Sequence, residues 1–350
     1  MIKSLVFTAI LVLVVQHAVR IWFFLDYHKT EGIIHHRPGP CLQLDGADGG
    51  SEDLTVLDNG LTFISSGYFS WTRGRILLFD LAKTKSEVKE LHIISSSLNQ
   101  SDLSFHGLSA WHDSKTGETT VMVVNHAGSE DQVEVFTFQK DSSSLLHVET
   151  IICPKLKFMN DLVMTSSRTF YITKFSALRE NYFLEGLLLL KFGEILYYDG
   201  SDFRNVAQGL HMPNGINTSP DKRYLYVSEF GGKQLKSYSI VGMELEPVED
   251  LYLDTHVDNI EVEPTSGNLW VGCHPSLHRL ASASGDVGSL SPSQILMVRT
   301  TDGKFKETVD VYSNSGSELK ASTVASVYKG KMIAGTLGSQ LIVCDLQTAE

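Results

Sequence analysis

VDNIEVEPTSGNLWVGCHP, residues 257–275, sets an acid–amide pair, Asp258-Asn259, ahead of a short strand-like run, LWVGCHP at 269–275, with a TSGN turn at 265–268 between them. The same kind of run recurs as LTFISSG at 61–67, VMVVNHAG at 121–128, FYITKFS at 170–176, YLYVSEFGG at 224–232 and MIAGTLG at 332–338. Polar groups precede four of these as well, by roughly 10 to 15 residues: Ser51-Glu52-Asp53, Phe105-His106-Gly107, Asn160-Asp161 and Asn214-Gly215. The last run has only Ser322-Thr323 ahead of it. Repeats of about 45 to 65 residues built from short strands mark a β-propeller, one four-stranded blade per repeat, with equivalent positions facing a common axis. The expected fold is therefore all-β, a six-bladed propeller. Its polar pairs then converge on one end of the tunnel, and a ring of oxygen donors there suits a hard cation such as calcium.

Composition fits one large extracytoplasmic domain. Of the 350 residues, 42% are hydrophobic, enough for a core, and turn clusters such as Asp58-Asn59-Gly60 and Ser219-Pro220-Asp221 punctuate the strands. The net charge of −12 disfavours nucleic acid as a partner, because phosphate binding needs clustered Lys and Arg, and none is expected.

Residues 1–38 read as a signal peptide or an uncleaved signal anchor with a linker, and 39–350 as the propeller. After Lys3 an apolar run covers 5–15, and a second covers 21–25 behind Arg20; no small-x-small cleavage site follows. Retention and removal both stay open. Either places the chain in the secretory pathway, secreted or anchored to the ER or plasma membrane. The sequons at Asn99 and Asn217 mark those two residues as glycosylation sites in that setting.

Cysteines stand at 41, 153, 273 and 344. The first and last segments of a propeller meet in one blade, so Cys41 and Cys344 either close the ring as a disulfide or remain two buried thiols. No C-x-x-C or Cys/His cluster supports zinc. Residues 178–192, LRENYFLEGLLLLKF, read as an amphipathic helix with Leu184, Leu187, Leu188 and Leu190 on its apolar side, either packed in the core or lying on a membrane surface.

GSEDL around Glu52 and Asp53, VVNH at 123–126, ND at 160–161, NGIN at 214–217, the 257–275 stretch and STVASVYKGK at 322–331 together resemble the paraoxonase/arylesterase family of calcium-dependent lactonases, over roughly residues 41–345. The resemblance implies two calcium ions in the tunnel, one catalytic and one structural, and Cys41–Cys344 as the closing disulfide. Position by position it implies that Glu52, Asn160, Asn214, Asp258 and Asn259 hold the catalytic ion. Asp53, Asp161 and the backbone carbonyl of Leu108 would hold the structural one. A single Asn or Asp before a strand is ordinarily a turn residue or cap; five at blade spacing, with the family match, read as ligands.

The resemblance also makes His106 the general base and His126 its partner, since an imidazole of ordinary pKa near 6.5 takes a proton from water at neutral pH. A carboxylate base, Asp258 or Glu52, is the alternative. His274, His112 and His35-His36 read as structural or exposed. The implied activity is hydrolysis of carboxylic esters, as a lactonase or arylesterase, on small lipophilic substrates with a membrane surface or lipoprotein as partner. No G-x-S-x-G elbow supports a serine nucleophile. Two departures stand out. Only YFSWTR lies between Gly67 and Gly74, which reads as a shortened lid, and TKFSA at 173–177 replaces the family's usual Asn-Asp-His-aromatic element. They leave a second reading, a membrane-anchored paraoxonase-like chaperone or assembly factor with little catalysis.

Overall fold

The computed structural model describes every residue except 1, 30–32, 69–72, 84, 128–129, 153–155, 179–180, 286–288 and 348–350. Cys153 and most of the loop at 68–73 therefore lie outside the described residues.

The strands form six sheets in sequence order around one axis. Blade 1 holds Leu54–Val56, Leu61–Ser66, Arg75–Asp80 and Lys89–Glu90. Blade 2 holds Phe105–His112, Thr119–Asn125, Gln132–Gln139 and Ser144–Ile152, with His92–Ile94 added in parallel at its outer edge. Blades 3, 4 and 5 open on Met159–Met164, Pro213–Thr218 and His256–Val262. Blade 6 is built from both ends of the chain: Ser322–Tyr328, Lys331–Thr336 and Ile342–Asp345 are completed by Cys41–Gln43. In that last pairing Cys41 lies opposite Cys344 and the two are disulfide-bonded. On the chain-entropy account, a loop of 303 residues closed in this way gains up to about 5 kcal/mol from restriction of the unfolded chain.

Burial explains the strand sequences. Each inner strand is covered by neighbouring blades on both faces, so Thr119–Asn125 is buried throughout and reads as a continuous apolar run. The outer strand Glu244–Tyr252 has no buried residue and Lys304–Asn314 is exposed mainly over its first half, and their charges protect the blade edge from pairing with another chain. A separate apolar cluster fills each gap between neighbouring blades, as Phe63, Ile76 and Leu91 with Phe105, Val121 and Phe136 do between blades 1 and 2.

One further cluster lies on the face where the innermost strands begin. Phe24, Phe175, Met212, Phe230 and Leu277 meet there, at the end of helix α1 (Ile2–Phe24), whose body is unburied. The chain turns at Asp26, in the left-handed region at φ 61°. Its buried carboxylate pairs with Lys233, with Lys29 at 3.0 Å and with His256 at 3.2 Å, and accepts the Leu277 N–H at 3.0 Å. Residues 24–29, grouped with the leader on sequence grounds, are thus seated on the propeller.

The apolar segment after Leu178 is shorter as a helix than its sequence suggests. Helix α2 spans only Tyr182–Leu187, and Leu189 follows in the left-handed region at φ 53°. There the N–H groups of Leu189 and Leu190 turn back to Gly186 O and Glu185 O, both at 3.0 Å, which closes the helix; the buried Glu185 side chain accepts from Ser176 Oγ at 2.5 Å and Ala177 N at 3.1 Å and ties the helix to the segment before it. Leu187 and Leu190 are half-buried; the exposed apolar side chains are Tyr182, Phe183, Leu184, Leu188 and Phe192. Helix α3, Leu277–Gly285, starts beside Asp26.

Candidate metal centre

Where their polar pairs sit, the innermost strands break register. Shifts fall between Phe105 and Leu108, Met159 and Leu162, Pro213 and Ile216, Val257 and Ile260, and Ser322 and Val324. A bulge adds one residue to its strand and re-aims the side chains around it. Gly107 and Gly215 allow blades to close up at this level: a Cβ on Gly107 would run into the backbone of Asn160 and Asp161, and one on Gly215 into that of Asp258 and Asn259. The polar pairs therefore stack blade against blade around the axis.

Five side-chain oxygens in this ring have no hydrogen-bond partner among the described residues: Glu52 Oε2, Asn160 Oδ1, Asn214 Oδ1, Asp258 Oδ1 and Asn259 Oδ1. They belong to all five residues expected at the first ion, and none of those residues is more than 6% exposed. A buried polar atom left unpaired costs about 1 to 3 kcal/mol; single atoms of this kind occur elsewhere, as at Trp270 Nε1 and Ser291 Oγ, and what sets these five apart is that all belong to the polar pairs of one ring. Two carboxylates and three carboxamides are a donor set that fits a hard divalent cation. The groups are held from behind. Asn259 Nδ2 donates to the backbone oxygen of Glu52 at 3.1 Å and to its Oε1 at 3.2 Å, and His274 Nε2 lies 2.6 Å from Asp258 Oδ2.

Asp53 and Asp161 lie one residue further along. Asp53 accepts from Leu54 N at 2.9 Å and Leu108 N at 2.7 Å; Asp161 accepts from Leu162 N at 2.7 Å and Ile216 N at 2.9 Å. Each carboxylate thus ties its own blade to the next. Burial pushes both carboxyls well above the ordinary range, and neighbouring acids, Asp161 and Glu52 against Asp53 and Glu52 against Asp161, push the same way. Leu108, whose carbonyl was the expected donor, meets Asp53 here through its N–H.

His106 and His126 meet: Nδ1 of the first is 2.9 Å from Nε2 of the second. On its other side His106 Nε2 is 3.3 Å from Glu52 Oε1, which places the pair against the cation donors. Tyr68 stacks on His106 at 4.0 Å between ring centroids and reaches His126 at 4.8 Å. The short loop after Gly67 therefore still supplies an aromatic cover.

Sequence reasoning missed three participants. His274 is buried and orients Asp258 rather than being a bystander, Tyr68 covers the histidines, and Asp131 lies behind His126. Tyr68 and Asp131 occupy hairpin loops outside the repeating polar pairs, so the repeat carried no signal for them. Of the sequons, Asn99 is exposed, whereas the Asn217 amide donates to Ile260 O at 3.0 Å and Glu261 Oε1 at 3.1 Å inside the tunnel wall. Another group of metal-type donors, Asp26, His28 and Asp254, is answered by Lys29 and Lys233 instead.

The fold is a closed six-bladed propeller with an oxygen-rich axis and a histidine pair beside it, and its family and relatives put it in the class of carboxylic ester hydrolases. The chain belongs to the arylesterase family, whose profile matches residues 36–346. It is similar to human serum paraoxonase/arylesterase 1, 36% identical over 322 residues that cover 87% of this chain and 88% of that protein. It is also similar to mouse serum paraoxonase/lactonase 3, 33% identical and covering 91% and 92% of the two chains. Among solved structures, a gluconolactonase from Xanthomonas campestris aligns at a TM-score of 0.54 with 15% identity, over 91% of this chain and 95% of that one, a likeness of fold alone.

Proposed function

We propose that the protein is a calcium-dependent hydrolase of lipophilic esters and lactones, anchored in a membrane with its active-site face toward the bilayer. The observation that carries the catalytic part is the set of five unpartnered buried oxygens beside the His106–His126 pair. Calcium bound by Glu52, Asn160, Asn214, Asp258 and Asn259 supplies a Lewis acid for the substrate carbonyl. The protein's own groups do the rest. Asn259 and His274 hold the two carboxylates in place, His106 takes a proton from the attacking water at Nε2, and Tyr68 shields the imidazoles from bulk solvent. Asp258 and Glu52 are poorer candidates for the base, because His274 and Asn259 already occupy one oxygen of each. Asp53, Asp161 and Leu108 form a second, structural calcium site. The intact donor set and the Tyr68 cover favour hydrolysis over the chaperone reading.

Anchorage is supported by the seating of α1. This helix is long and apolar enough to cross a membrane. Removing it would strip Phe24 from its stack on His211, at 5.6 Å, and from its edge contact with His256, at 5.4 Å. Burial holds His211 down at about 4, so it is a neutral aromatic platform for Phe24. α1 ends in the cluster that includes Phe158 and Phe175, against which Tyr182 packs, and Tyr182, Phe183, Leu184 and Leu188 are exposed beside it, close in sequence to the donors' strands. Lipophilic substrates dissolved in the bilayer then reach the site directly.

His106→Gln tests the base. Turnover of phenyl acetate and aliphatic lactones is expected to fall about 100-fold with calcium content unchanged. Full activity in this variant would move the base to a carboxylate.

A further inference from the structure

Behind the histidine pair a third group completes a chain that crosses from blade 2 to blade 3. Asp131 is fully buried; its Oδ1 lies 2.7 Å from His126 Nδ1 and its Oδ2 accepts the Met159 N–H at 2.7 Å. Met159 is itself buried and immediately precedes the cation donor Asn160. One carboxylate thereby contacts both the histidine relay and the strand that presents a metal donor.

We propose that Asp131 is a positioning residue that fixes the tautomers of both histidines, and so sets which nitrogen of His106 carries a lone pair toward the substrate. This rests on the hydrolase reading above. An ionised carboxylate only accepts hydrogen bonds, so His126 Nδ1 carries a proton and donates it to Asp131. His126 Nε2 is then bare and accepts from His106 Nδ1, 2.9 Å away. With its proton on Nδ1, neutral His106 keeps its lone pair on Nε2; Glu52 Oε1, 3.3 Å from that atom, pulls toward the opposite tautomer, and the shorter contacts of 2.9 Å and 2.7 Å along the chain to Asp131 outweigh it. When Nε2 takes a proton from water, the positive charge that develops on His106 is shared along the hydrogen bonds toward Asp131. Without that carboxylate the pair has no preferred direction, and half of the arrangements turn an N–H toward the water instead of a base.

Asp131→Asn is a sharp test, because an amide has one oxygen for two demands. The buried Met159 N–H requires an acceptor, so the oxygen of the introduced amide turns to it and the NH₂ turns to His126. His126 must then accept at Nδ1 and donate at Nε2, which reverses His106 and places its proton on Nε2. The account predicts that Asp131→Asn lowers kcat for phenyl acetate about 100-fold, with KM changed less than about threefold, full calcium content and a melting temperature within a few degrees of the parent. Unchanged kcat in a folded, calcium-loaded Asp131→Asn variant would overturn it. A second measurement needs no variant. In the ¹⁵N-histidine-labelled parent protein with calcium, imidazole spectra should show His126 protonated at Nδ1 and bare at Nε2, and the opposite assignment would also overturn the proposal. If His106→Gln proves fully active, the base assignment fails, while the imidazole spectra still decide the role of Asp131.

Discussion

Asn259 of blade 5 reaches past blade 6 to Glu52 beside blade 1, donating from one amide nitrogen to the Glu52 backbone oxygen at 3.1 Å and to its side chain at 3.2 Å. The two residues are 207 positions apart in the chain, and their remaining oxygens are both without partners among the described residues. The bond orients one donor with another, so Asn259→Ala removes an oxygen and frees Glu52 to rotate. We expect calcium affinity to fall at least tenfold, about 1.4 kcal/mol, in a chelator competition titration, with the melting temperature in excess chelator close to that of the parent.

Ion-free and ion-bound protein should respond oppositely to pH. The carboxyls of Asp53 and Asp161 are raised by burial, and Glu261, also fully buried, is pushed up to about 8. A carboxyl raised in the fold binds more protons folded than unfolded, so its stabilising contribution is complete below the unfolded value near 4 and is lost as pH rises through the folded value. In chelator, therefore, the melting temperature should drop between pH 5 and pH 8. With calcium the ionised forms of Asp53 and Asp161 are the ones bound, and the drop should shrink or reverse. Parallel melting curves in calcium and in chelator across this range would contradict both the second site and the role of the ion in holding blades together.

The Asp26 lock predicts what happens to the leader. Burial alone would raise this carboxyl, and His256 and Lys233 more than reverse that, holding it below the ordinary range. Lys233→Met leaves the buried carboxylate with fewer counter-charges and should cost about 3 kcal/mol, read as a lowered melting temperature. Mass spectrometry of the mature protein should find residues 1–24 still attached, and carbonate washing should leave the protein in the membrane pellet. A mature chain beginning after residue 26 would overturn the anchored reading.

The sequons separate by structure. Asn99 sits in an exposed turn, while the Asn217 amide is committed to Ile260 and Glu261. Asn99→Gln should shift mobility on a gel as much as enzymatic deglycosylation does, and Asn217→Gln should not shift it.

Much of this was legible in the residues because a propeller repeats its geometry. Asp258-Asn259 and its counterparts recur near the start of innermost strands, so one spacing marked the polar pairs, the family resemblance singled out the five residues whose oxygens are unpartnered, and Cys41 with Cys344 fitted closure of the ring. What the repeat does not encode was harder to see. Leu184, Leu187, Leu188 and Leu190 look like one helical stripe, yet the helix ends at Leu187 because Leu189 turns left-handed and the Leu190 N–H returns to Glu185 O. Asp131 is five residues from His126 in a loop of acids and small residues, and only the hairpin between Thr119–Asn125 and Gln132–Gln139 brings them together. The docking of Asp26 depends on Lys233, His256 and Leu277, contributed by two other blades, and nothing in the leader's own composition announces it.

The central claim is that the five unpartnered oxygens bind calcium for ester hydrolysis at His106. Hydrolysis of phenyl acetate and of an aliphatic lactone by the purified full-length protein, titrated with free calcium after chelation, tests it most directly. The account predicts no turnover in chelator, a saturable return of activity with added calcium, and no return in Asp258→Asn at the same calcium level. Turnover that persists in chelator after elemental analysis confirms metal loss, or its absence from the calcium-saturated protein on both substrates, would contradict it.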